Sequence, residues 1–235
     1  MPAYLINQNS WLLATFYKTS TPKSRFCFSN TFCQRHFSKS GNEMDDIIQL
    51  KIVLEKTKPA IWRRIQVEKD TTFFELHSII QIAMGRGSNY PFNFKVDGYI
   101  LGEPTITGIK HSAKAKVIID SREIDLESVF VKPGERFTYS SDSQNRWEHK
   151  IILAKFLPKD PKQNYPNCIE GELCAPPEDC PSVEEYYDWL DIIQYRNHRW
   201  RRSVLKWLGK NFDPARFDIE IVNKRLSNLV KDINK

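Results

Sequence analysis

Apolar and polar side chains begin to alternate abruptly at Ile48. Ile48, Leu50, Ile52 and Leu54 fall on one side of an extended chain and Gln49, Lys51, Val53 and Glu55 on the other, the pattern of a half-buried strand. Lys58-Pro59 interrupts it. The alternation resumes with Ile61, Arg63, Ile65 and Val67 at one parity and Trp62, Arg64 and Gln66 at the other. The short connection predicts an antiparallel hairpin, and it leaves one arginine, Arg63, at core parity.

The period then changes. Thr72 followed by Glu75 forms a capping box ahead of Phe73, Leu76, Ile80 and Ala83, and Gly85 and Gly87 close the helix it starts. Phe92, Phe94 and Val96 alternate as a third strand, with Asp97-Gly98 as a tight turn into Tyr99, Ile100 and Leu101. Lys116 to Asp120 predicts another strand and Asp125 to Phe130 a helical turn. Lys132-Pro133-Gly134-Glu135 is a turn before Phe137-Thr138-Tyr139, and a last strand runs from Trp147 to Phe156. Residues 158–181 form a Pro/Cys-rich loop or linker, since six of the chain's 13 prolines crowd into it. Beyond it, Ser182 and Glu185 open a helix bearing Tyr186, Trp189, Leu190 and Ile193, and further helices are expected over His198 to Leu208 and Asp218 to Lys231. This order predicts an α+β fold: a β-grasp-like mixed sheet with one main helix over 44–157, then a helical C-terminal cap over 182–235, packed on the sheet.

Total charge points to nucleic acid, with 35 Lys+Arg against 29 Asp+Glu, a net +6. Its distribution narrows that reading. Residues 1–43 hold five basic side chains and one acid, Glu43, so they carry +4 of the excess and the remainder is nearly balanced. That first segment has no sustained period and reads as an extension outside the fold. A disordered, dispensable extension or a spurious one from an upstream translation start, with Met44 just before the first well-patterned strand, is favoured over a cleaved targeting peptide. No run approaches the ~18 to 20 apolar residues of a membrane span, and five cysteines, an odd number, suit a reducing cytoplasm better than a paired disulfide framework.

Several segments taken together resemble one family. K-P-A-I-W-R-R-I-Q-V, F-F-E-L-H-S-I-I-Q-I-A-M-G, P-G-E-R-F-T-Y, W-E-H-K-I, Y-P-N-C, A-P-P-E-D-C and F-D-P-A-R-F-D are similar, in collinear order from Ile48 to Leu229, to the plasmid pRiA4b ORF-3-like family. The resemblance implies a fold and a link to plasmids and mobile elements, including insertion-element passenger proteins, without an activity. It also marks departures. Gly85 is followed by Arg86 where the family has tryptophan, Tyr90 and Phe92 stand at histidine places, and Ser141 to Asn145 replace an acidic turn, so that Asp142 and His149 alone remain of the family's polar set.

Three constellations carry possible chemistry. Cys168, Cys174 and Cys180, with five residues between neighbours, could join His149 in a tetrahedral structural zinc site, because thiolates and imidazole are zinc's usual ligands. Zinc knuckles space their ligands more tightly, so small buried thiols and a hydrogen-bonded core histidine are favoured; a disulfide is the third option in an oxidising compartment. Trp62 with Arg63 and Arg64 could meet a base and its phosphate, against the favoured reading of a core arginine neutralised by an acid such as Asp142 or Glu148. His77 reads as a helix-to-core polar contact.

The third constellation lies between Ile192 and Phe212, where Arg196, Arg199, Arg201, Arg202, Lys206 and Lys210 occur without an acid. Trp200, Val204, Trp207 and Leu208 are expected as its apolar stripe, leaving Arg199, Arg202 and Lys206 on a solvent face. That face could bind nucleic-acid phosphate or an acidic protein, or be an ordinary solvated helix. No phosphate-cradling glycine loop, nucleophile elbow or His-Glu-x-x-His occurs. The sequence therefore predicts a non-catalytic interaction module using Trp62, Arg64, Arg199, Arg202 and Lys206. The competing expectation is a metal-dependent enzyme built from His149, Asp142 and the three cysteines.

Overall fold

A computed structural model describes residues 45–87, 91–104, 118–141, 147–177, 180–209 and 212–233. The predicted extension 1–43, Tyr90, Lys116, Asp142 to Asn145 and Lys210 lie outside the described residues. Among those described, eight strands form one mixed sheet: β1 (Ile47–Leu54), β2 (Trp62–Glu68), β3 (Phe92–Val96), β4 (Tyr99–Gly102), β5 (Ile118–Asp120), β6 (Arg136–Ser141), β7 (Trp147–Leu157) and β8 (Asn167–Glu172). Four helices accompany them: α1 (Phe73–Ala83), α2 (Val183–Gln194), α3 (Arg201–Leu208) and α4 (Ile219–Ile233). The fold is α+β.

The sheet order is β5-β4-β3-β6-β7-β1-β2-β8, and every pair is antiparallel except β4 with β5 at the edge. The finer β-grasp-like expectation is not confirmed, since the central strands β1 and β7 run antiparallel. The alternation read from sequence sets which face is inside. Leu50, Ile52, Ile65, Phe94, Tyr139 and Ile151 are buried, while Lys51, Trp62 and Arg64 on the opposite parity are half-buried.

Local signals act as expected where their chemistry is self-contained. Thr72 Oγ1 accepts from the Glu75 N–H at 3.2 Å and Glu75 Oε2 accepts from the Thr72 N–H at 2.8 Å, completing the capping box of α1. Asp97 and Gly98 both take positive φ, 46° and 87°, as a two-residue turn between Val96 and Tyr99 requires. Beneath α1, Phe73 meets Phe94 and Phe137 at ring separations of 5.0 and 5.3 Å. Removing such a side chain from water contributes about 2 to 3 kcal/mol.

The Pro/Cys-rich segment departs from its reading as a loop or linker. Its Asn167–Glu172 stretch is β8, which pairs with β2 and completes the sheet. Isoleucine alternation is missing there, so the strand is specified by its partners more than by its own pattern. Helix α4 packs across β8 and α1. From α4, the Asn223 amide faces the β8 backbone: Oδ1 accepts from the Cys168 N–H at 2.7 Å and Nδ2 donates to the Cys168 carbonyl at 2.8 Å. Helices α2 and α3 pack on each other, and Tyr187 Oη on α2 accepts from the Lys58 N–H at 2.5 Å, tying the pair to the β1–β2 turn.

Candidate nucleic-acid interface

Helix α3 is short and amphipathic in an unexpected direction. Val204 and Leu208 are buried, but the two tryptophans expected beside them are not: Trp200 is 52% and Trp207 61% exposed. This corrects the predicted four-residue stripe. An eight-residue helix whose main packing is against α2 buries little more than one side chain per turn. At 100° per residue, Arg202, Lys206, Ser203 and Trp207 follow one another around a single exposed arc, away from Val204 and Leu208.

That arc borders an open basin of about 590 Å³, lined by Arg196, Arg199, Arg201, Arg202 and Lys206 together with His198. Arg201 is tied down, donating through Nε to the Ile193 carbonyl at 3.1 Å, and the Arg199 guanidinium lies 5.1 Å from the Trp200 ring. Among the described residues, none of Arg196, Arg199, Arg202 and Lys206 has a carboxylate within salt-bridge distance. The cations thus converge without local neutralisation, and Tyr195, 66% exposed, adds a third aromatic ring to the neighbourhood.

Trp62 and Arg64 are differently placed. Trp62 Nε1 donates to Glu172 Oε2 at 3.0 Å, Arg64 forms an ion pair with Glu170, and Lys51 Nζ sits 4.4 Å from the Trp62 ring. Both residues are occupied by acids of the adjacent strand β8. Arg63 departs from its expected pairing with an acid. Its Nε donates to the Ala83 carbonyl at 3.0 Å, Nη1 to those of Trp62 (2.7 Å) and Glu172 (2.9 Å), and Nη2 to that of Leu173 (2.9 Å). Ala83 ends α1, so one of these acceptors is a carbonyl of the last turn, at the negative end of a helix. Burial still lowers the arginine to about 10, with the neighbouring Cys168 and Cys174 opposing the shift.

The proposed zinc ligands are not brought together. His149 is on β7 and Cys168 on β8, with β1 and β2 between them, a separation of at least about 14 Å at normal strand spacing. Among the described residues, no three His, Cys, Asp or Glu side chains gather in a way that could hold a metal ion. Each thiol instead reaches a backbone carbonyl: Cys168 that of Glu170 (3.6 Å), Cys174 that of Ala175 (3.5 Å) and Cys180 that of Ser182 (3.4 Å). Burial pushes all three thiols up, Cys180 to about 11.

His149 lies instead in a buried polar group under α1. His77 Nδ1 and Tyr139 Oη are within hydrogen-bond distance at 2.7 Å, and Gln81 Nε2 donates to the same oxygen at 2.5 Å. His77 is thus the helix-to-core contact expected of it. Arg86 lies over Trp147 at 4.0 Å. Among the described residues, neither ring nitrogen of His149 has a hydrogen-bond partner. Burial, with the charge of Arg86, holds its pKa down to about 3; the Trp147 backbone opposes this weakly without forming a bond of ordinary geometry.

Comparison with known proteins agrees with this architecture. The family described as plasmid pRiA4b ORF-3-like protein matches residues 46–221. This chain belongs to that family. Within the plasmid pRiA4b ORF-3-like family, it is similar to the uncharacterized protein y4hQ of Sinorhizobium fredii strain NGR234, 25% identical over 185 residues that cover 78% of this chain and 92% of the relative. It is also similar to the crystal structure of MM3350 from Methanosarcina mazei Go1, a protein of unknown function, with a TM-score of 0.64 and 27% identity over 74% of this chain and 96% of that one. Neither name assigns an activity that this plasmid pRiA4b ORF-3-like protein could inherit. Among the described residues, no helix is long and apolar enough to cross a membrane.

Proposed function

We propose that the protein is a non-catalytic interaction module that binds nucleic acid through the basic basin of α3, with Arg199, Arg202 and Lys206 on phosphate. The carrying observation is the convergence of cations on one open surface with no acid partner among the described residues. A solvated helix of average composition would intersperse acids, and the 192–212 stretch holds none. Trp62 and Arg64, already engaged by Glu172 and Glu170, take a lesser part in this reading.

Binding of labelled DNA measured across a salt series tests the reading. Affinity should fall linearly on a double-logarithmic plot, and Arg199→Ala, Arg202→Ala and Lys206→Ala should each reduce the slope by about one. Negligible binding at low salt, or a slope indifferent to all three substitutions, would overturn it.

A further inference from the structure

Helix α3 carries two indoles that its packing does not use. Val204 and Leu208 already anchor it, while Trp200 and Trp207 stand more than half exposed, Trp200 with the Arg199 guanidinium 5.1 Å from its ring and Trp207 next in the chain to Lys206. A surface that reads only phosphate gains nothing from them, and large apolar rings left in water are unfavourable. Trp200 has helical backbone angles, φ −91° and ψ −6°, so it stands in register with the helix. Seven residues separate the two rings, which places them within about 20° of one another around the axis and about 10 Å apart along it.

We propose that the nucleic acid bound here is single-stranded, with Trp200 and Trp207 as platforms on which two bases stack while Arg199, Arg202 and Lys206 hold the intervening phosphates. This rests on the nucleic-acid reading above and names its substrate class. A duplex keeps its base faces stacked and shows only their edges, so exposed indoles have no partner on it; an unpaired strand offers a π-face at every base. The spacing agrees. Two platforms about 10 Å apart are about three times the 3.4 Å rise of stacked bases, a distance that a short run of one unpaired strand can span.

The test uses the full chain and three labelled probes: an oligo-dT strand about 20 nucleotides long, an oligo-rU strand of the same length, and a duplex of matched length. At equal salt, at least one of the single strands should bind about ten-fold or more tightly than the duplex. Trp200→Ala and Trp207→Ala should each weaken single-strand binding about five-fold or more, with the salt slope unchanged, and Trp207→Phe should restore most of the loss. Circular dichroism spectra and thermal midpoints matching those of the parent protein confirm that each variant is folded. Equal affinity for strand and duplex, or single-strand affinity unmoved by both alanine substitutions, overturns the single-strand inference and leaves the phosphate reading standing. Failure of all three probes to bind at low salt overturns both.

Discussion

The Arg63 guanidinium lies 3.9 Å from the centre of the Phe217 ring, stacked on it while donating to four backbone carbonyls. Four of its five N–H donors are thereby used, on segments from β2, the end of α1, and β8 with the residue that follows it. Arg63→Ala should lower stability by about 3 kcal/mol or more, because buried carbonyls lose a charged donor together. Arg63→Lys should recover little of this, since one ammonium cannot span a fork of acceptors. Urea unfolding of the three proteins at neutral pH checks both statements.

Gly171 sits under the same contact. A Cβ there would lie 2.6 Å from Phe217 Cε1 and 2.8 Å from Arg63 Cδ, so the ring or the arginine stem must move. Gly171→Ala should cost about 1 to 3 kcal/mol. In a Phe217→Ala background the penalty should shrink, and a double-mutant cycle that gives simple additivity would contradict the contact.

His149 makes stability depend on acid. Its folded pKa, about 3, is below the ordinary value of 6.5, so between these values the unfolded chain binds a proton that the folded one refuses. Stability is therefore full above pH 6.5 and lost as pH falls toward 3, at about 1.4 kcal/mol per unit from this group. His149→Phe should flatten that part of the pH profile relative to the parent. Because both ring nitrogens lack partners among the described residues, the substitution should leave stability at pH 7 unchanged or raised.

The exposure of α3 predicts unequal costs for neighbours. Trp207→Ala should shift stability by no more than about 0.5 kcal/mol, whereas Leu208→Ala, one position on, should cost about 2 kcal/mol. Thermal unfolding compares them directly. A large loss for Trp207→Ala would mean that the indole is packed.

What could be read from the chain depended on how local the cause was. The alternation around Ile48 to Leu54, the Thr72–Glu75 box and the Asp97-Gly98 turn each follow from residues a few positions apart, and all three are present. Arg63 at core parity was legible too, but not what surrounds it. Carbonyls of Ala83, Glu172 and Leu173 are generic groups brought to one point by tertiary packing, and no side chain in the sequence advertises them. Trp200 and Trp207 were misread for a related reason. Their spacing suits a buried stripe, and the outcome turns on whether anything lies opposite. The only usable hint was the acid-free cationic run around them. For His149, the strand order explains why it lies remote from Cys168, which its inward parity alone could not show.

Asn223 gives the sheet a boundary. An outermost strand normally leaves a row of unpaired N–H and C=O groups on which another chain can add itself, a route to fibres and swapped assemblies. At Cys168 that row is interrupted, since a helix-borne carboxamide supplies one donor and one acceptor in the places a ninth strand would use. Among the described residues, the opposite edge strand β5 spans Ile118–Asp120. Sheet growth is thus discouraged at the Cys168 end by mimicry, so self-association should not add a strand beside β8 even when the protein is concentrated.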